Sequence, residues 1–294
     1  MRIAILIACA AGVLRAQEPT SFAPGAIPDS ASALSPVFAR DCRTVWYTIG
    51  TGGATSTIVM SHKADGKWTD PVTAAFSGQW RDLESSMAPS GKYLVFASNR
   101  PATDGGAPID GNWGGKAQPG RGGNLWRVDR HGDGWGKPVR LPDVINAVTS
   151  VFSPAVAADG SLYFMKPTPE TGKFQIYRSQ MTNGQYGPPE RLPWSDDRWS
   201  NVDPAVAPDE SFVIFSSSRP PTAEHDLDLF IVYRRNGVWG EPQSLGPRVN
   251  SPSGEIEARL SPDTRTVFWA SKRSGDHTRM WRADVDPSQT GHCE

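Results

Sequence analysis

DPAVAPDESFVIFSSSR, residues 203–219, decides how the chain is read. It holds a short strand, a Pro-Asp turn, a second strand of alternating apolar residues, and a polar Ser-Ser-Ser-Arg end. Four further copies of this unit begin at Leu34 (LSPVFARDCRTVWYT), Ser85 (SSMAPSGKYLVFASNRP), Phe152 (FSPAVAADGSLYFMKP) and Ala258 (ARLSPDTRTVFWASKR). Each pairs an apolar strand with a turn drawn from Pro, Ser, Asp and Gly, residues that suit positive φ or bond the local backbone. The strand that follows is rich in aromatic and β-branched side chains, as buried strands are. A fixed repeat of this kind is the mark of a propeller or solenoid.

Downstream of each copy lies a third strand. Four of these run into a hairpin turn and an aromatic: Asp65-Gly66-Lys67-Trp68, Gly132-Asp133-Gly134-Trp135, Asn183-Gly184-Gln185-Tyr186 and Asn236-Gly237-Val238-Trp239. Asp-Gly and Asn-Gly between strands are strong hairpin signals. Pro71, Pro138, Pro188 or Pro242 follows, and a residue without an N–H belongs on an edge strand. Four antiparallel strands with a Pro-marked edge make one propeller blade. The fifth copy ends after its third strand, while residues 18–25 read as an orphan fourth strand. The sequence therefore predicts an all-β fold: a single β-propeller of five four-stranded blades, with the N-terminal strand completing the last blade and removing its edge. Six blades remain an alternative. Residues 102–123, Gly-rich and poor in apolar side chains, read as a long surface loop that is either functional or disordered.

The copies resemble the PD40, or WD40-like, β-propeller repeat of periplasmic proteins related to the propeller of TolB. Ala207-Pro208-Asp209-Glu210 with Ser218-Arg219, Ser261-Pro262-Asp263 with Lys272-Arg273, and Ala158-Asp159-Gly160-Ser161 carry the resemblance, together with Asp228-Leu229-Phe230 in the third strand. Copy one departs from the pattern at Ala39-Arg40-Asp41-Cys42, and copy three lacks the Ser-x-Arg. The resemblance implies a propeller over nearly the whole chain. It is weak on function, because fold does not set activity.

Composition narrows the rest. The 294 residues carry 30 Lys and Arg against 31 acids, a formal net charge of −1. No global field draws the chain to nucleic acid or anionic membranes. Arg2, the apolar run of residues 3–14 and Ala16 describe a secretory signal peptide over residues 1–16, leaving residues 17–294 as the propeller domain. Leu6-Ile7-Ala8-Cys9 is a short lipoprotein-like box, a weaker reading. No later segment has the ~20 apolar residues of a membrane span. The expected location is periplasmic or secreted, where Cys42 and Cys293, one near each end of a closed ring, either pair or stay as free thiols.

The loops leading into the innermost strands share one face with the loops leaving the second strands. That face is expected to collect Glu84, Asn201, Asp203, Glu255 and Glu257 from the former, and Arg100, Arg219 and Arg273 from the latter. Such a funnel suits a small molecule, a glycan or a protein partner. Inter-blade ion pairs and turn caps are the structural alternative for the same residues. Asp159, Asp209 and Asp263 read as turn formers. Glu84, Asp203 and Glu257 come from different blades and could serve glycan hydrolysis or lysis. His62, His131, His225, His277 and His292 lack metal-ligand spacing, and His225-Asp226-Leu227-Asp228 comes nearest to it. The expected protein is a monomeric, non-enzymatic binding module without cofactor or metal. The alternatives are a glycan-active enzyme and a scaffold subunit of an envelope protein complex.

Overall fold

A computed structural model describes residues 18–51, 55–223, 226–285 and 293. The segment read as a signal peptide, and His225 and His292, lie outside the described residues. The innermost strands are Ser32–Phe38, Asp82–Met87, Phe152–Val156, Asn201–Val206 and Glu255–Leu260. Each pairs antiparallel with a second strand, and that with a third, giving five blades round a central channel. The fold is an all-β, five-bladed propeller, blade one included despite its irregular turn.

The outer edge is more broken than the sequence implied. In blade one, Lys67–Trp68 pairs with the end of the third strand, and Val72–Thr73 resumes pairing further down the same strand. Pro71 lies in the gap, where a missing N–H costs no ladder bond. Asp65 and Gly66 both have φ in the left-handed region, as do Asn183 with Gly184 and Asn236 with Gly237. That is the type I′ geometry whose twist matches the flanking strands. Three of the hairpin aromatics then pack at the junction with the preceding blade. Trp135 meets Trp46 and Phe76, Trp239 meets Trp194, and Trp68 meets Phe22 and Phe38. The core is accordingly five apolar clusters between blades rather than one centre.

Ring closure follows the predicted route. Thr20–Phe22 pairs antiparallel with Arg279–Asp284 as the outer strand of blade five. Phe22 is buried against Phe38 of blade one and Phe268 of blade five. Cys42 and Cys293 form a disulfide across the same junction, with Cα atoms 4.9 Å apart. Burying an aromatic of this size contributes about 2–3 kcal/mol, so the seam is held by packing as well as covalently.

Residues 102–123 are not a plain loop. They contain a two-stranded hairpin, Gly111–Trp113 with Lys116–Gln118. Trp113 packs on Phe152 and Phe174 of blade three. Ser150 grips the hairpin backbone, accepting from Asn112 N–H and donating to Asn112 C=O. A partly buried aromatic anchor and these backbone bonds tie down an otherwise polar insertion. Among the described residues, no helix is long and apolar enough to cross a membrane.

Candidate functional site: an acid ring and a cavity in the channel

Every innermost strand carries the same irregularity. Pairing shifts register between Leu34 and Val37, Leu83 and Ser86, Phe152 and Ala155, Val202 and Ala205, and Ile256 and Arg259. The residue inside each shift has positive φ: Ser35 51°, Glu84 55°, Ser153 47°, Asp203 55° and Glu257 56°. A bulge adds one unpaired residue and re-aims its side chain. Left-handed backbone costs a non-glycine residue roughly 1 kcal/mol, and it recurs here in all five blades.

Hydrogen bonds through the five bulges run once round the channel. Ser35 Oγ donates to Glu257, whose N–H donates to Asp203 Oδ2 at 3.0 Å. Ser153 Oγ donates to Asp203 Oδ1 at 2.7 Å, and Ser153 N–H donates to Glu84 Oε2 at 2.7 Å. Glu84 N–H donates to Thr48 Oγ1 of blade one at 3.1 Å, which brings the chain of bonds back to the blade where it began. Three carboxyl groups and two hydroxyls thus meet on the axis, all buried.

Burial and mutual proximity govern the charge of this ring. Desolvation, and then the neighbouring Asp203, push Glu84 up to about 7. Desolvation, with Glu84 and Asp203 adding to it, pushes Glu257 up to about 8. Asp203 is also raised by burial, against the pull of Ser153 and Arg259. Like charges packed in low dielectric hold protons. The ring therefore keeps part of its protons at neutral pH.

The eight candidate residues separate into two sets. Glu84, Asp203 and Glu257 enter the ring. The other five form clamps inside single blades. Arg100 bonds Asp82 Oδ1 at 2.8 Å and stacks over Phe96 and Trp126. Arg273 bonds Glu255 Oε1 at 2.6 Å and lies over Trp269 and Trp281. Arg219 bonds Asn201 Oδ1 at 2.7 Å over Phe215 and Phe230. Asp82, Asn201 and Glu255 are fully buried, so each arginine satisfies a group that burial would otherwise penalise. Arg219 and Asp203, the two ends of the repeat unit, do not bond to each other. The turn aspartates bond their own turns: Asp159 accepts from Ser161, Asp209 from Ser211, and Asp263 from Arg265 N–H.

A cavity of about 420 Å³ opens at the other end of the channel, between the turns that end the innermost strands. All five blades line it, and none of the eight candidates does. Its walls are mostly apolar, among them Phe38, Met87, Val156, Val206 and Leu260. The polar lining consists of Ser86, Arg259 and, from the turns, Arg40, Ser261, Asp263 and Thr264, and of these Arg259 is the buried cation. Its counterparts across the bulges are Val37, Ser86, Ala155 and Ala205, so one long cation stands where four blades have small residues. Arg259 donates to Ala258 C=O at 2.7 Å and reaches across the channel to Ser85 C=O at 3.3 Å. It is 4% exposed, and its Nη2 is buried with no hydrogen-bond partner among the described residues. Among those residues no group of His, Cys, Asp or Glu could hold a metal ion.

No protein-family model and no curated protein matches the sequence. Solved structures do share the fold. A structure described as a glycoside hydrolase superposes with TM-score 0.62 at 9% identity, over 96% of this chain and 94% of that one. A thermostable family-43 glycoside hydrolase gives 0.56 at 12% identity, over 90% and 91%. TolB from Acinetobacter baumannii gives 0.50 at 14% identity, over 86% of this chain, which spans 54% of that TolB. At such identities the likeness is one of fold, and fold does not set activity. The chain is a β-propeller like that of TolB, and the PD40 reading rests on its repeat residues.

Proposed function

We propose that the chain is an exported, non-enzymatic propeller that binds a small ligand in the turn-face cavity. The observation that carries this reading is the division of the channel. The ring acids are buried in bonds with Ser35, Ser153 and one another and do not line the cavity, while that cavity, apolar with a few polar groups, the usual character of a ligand site, lies beyond them. Export is supported by the signal-like character of residues 1–16 and by the Cys42–Cys293 disulfide, since such bonds persist in oxidising compartments. The clamp residues Arg100, Asn201, Arg219, Glu255 and Arg273 hold the blades in this account. The test is a small-molecule and glycan binding screen on the wild type and two variants. Met87→Trp, which fills the cavity, abolishes binding, whereas Glu84→Gln retains it. Loss of binding in Glu84→Gln alone would point to the opposite face.

A second reading has one observation in its favour. Glu84 and Glu257 are raised to about 7 and 8, the range in which a carboxyl can exchange a proton at neutral pH. Together with Asp203 they could act on a glycan entering from the loop face. Turnover of aryl glycosides that vanishes in both Glu84→Gln and Glu257→Gln would establish this reading over the first.

A further inference from the structure

We propose that Arg259 is the anchor of a carboxylate subsite, and that the ligand class is a small apolar monocarboxylate. This rests on the reading of the turn-face cavity as the ligand site. Three observations lead to it. Arg259 lines the cavity at the position closest in the strand to the acid ring, with a buried Nη2 that lacks an acceptor. A buried donor left unmet costs free energy that a ligand oxygen would recover. Ser86, the counterpart of Arg259 in blade two, also lines the cavity. Its Oγ accepts from Val156 N–H at 3.3 Å, so the hydroxyl proton can point elsewhere. A guanidinium and a hydroxyl match the two oxygens of a carboxylate. The remaining wall is largely apolar, which suits a hydrocarbon body and disfavours a dianion such as a phosphate monoester beside a single buried cation.

The charge state of the ring sets how available that cation is. Arg259 faces Glu84, Asp203 and Glu257, with Arg81 beyond them, and Arg40 and Asp263 lie at the cavity mouth. While Glu84 and Glu257 keep their protons, the guanidinium is under-matched and open to an external anion. As both ionise, they compete for it. Affinity for the carboxylate therefore falls as pH rises from 6.5 to 9.

Calorimetric titration with matched acids and primary amides, from propanoate to decanoate and including 3-phenylpropanoate, tests the inference on the wild-type chain. The acids bind and their amides bind about 10- to 100-fold more weakly, the loss expected for one charge-assisted hydrogen bond. Arg259→Met loses the preference for the acid. Glu84→Gln/Glu257→Gln keeps the preference and loses its pH dependence. Equal binding of acid and amide, abolished by Met87→Trp, would overturn the carboxylate subsite and leave the cavity reading standing. No binding anywhere in the series would overturn both. The acid–amide comparison needs no variant, so a misfolded Arg259→Met leaves the question decidable.

Discussion

Glu257 sits on a left-handed bulge, buried among two other carboxyl groups, and this fixes how its proton behaves. Its folded value near 8 lies above the unfolded value of 4.5, as does that of Glu84 near 7. Such groups contribute stability that is fully present below the unfolded value and is lost as pH rises through the folded one. Each costs roughly 1.4 kcal/mol per pH unit across that window. Thermal melts from pH 5 to 9 should show Tm falling with pH in the wild type and a flatter profile in Glu84→Gln/Glu257→Gln. An unchanged slope in that variant would remove the ring's protonation from the account. The clamps give a second prediction. Arg100→Met strands fully buried Asp82 and should cost about 3–5 kcal/mol in urea unfolding, the usual penalty for halving a buried pair. A loss below 1 kcal/mol would mean Asp82 finds other partners. The repeats made Glu84, Asp203 and Glu257 legible as equivalent positions, but not Ser35 or Ser153 beside them, since a serine after an apolar residue carries no signal. Nor did the sequence mark the bulges, because none of the five left-handed residues is glycine.

The blades themselves were readable because two periods overlap in each: alternating apolar strands, and turn residues that demand positive φ. Asn236-Gly237 before Trp239 is a hairpin on chemistry alone, and the structure has it. The difference lay in residues 102–123, where sparse apolar content suggested a long surface loop, functional or disordered, and the structure has a hairpin. Trp113 anchors a hairpin there by reaching Phe152 and Phe174, residues more than 35 positions away, a contact invisible to any local window. Trp113→Ala should release this hairpin without unfolding the propeller, raising amide exchange across residues 110–120 while lowering global stability by about 1–3 kcal/mol. Protection unchanged across the hairpin would mean that Ser150 alone holds it. The sequence pointed to the loop face of the channel for a related reason. Polar residues cluster at the loop face, yet the arginines there are committed to their own blades, and the opening lies among the prolines and aliphatics of the turns.

A closed ring has no free edge, and its weakest point is where the chain ends meet. Thr20–Phe22, the Phe22–Phe38–Phe268 contact and the Cys42–Cys293 bond together join blade five to blade one. The disulfide closes a loop of 251 residues, so its removal in Cys42→Ser/Cys293→Ser should cost about 2–5 kcal/mol, read as a lowered urea midpoint. An unchanged midpoint would show that strand pairing alone closes the ring. The five-fold arrangement also separates the channel into a proton-holding ring and an open cavity, and the account depends on the second being where ligands go. Amide chemical-shift mapping of the ¹⁵N-labelled protein titrated with 3-phenylpropanoate tests this directly. The account predicts shifts concentrated at residues 87–91 and 259–264, with residues 98–101 and 217–219 unmoved. Shifts confined to those loop-face segments would contradict it.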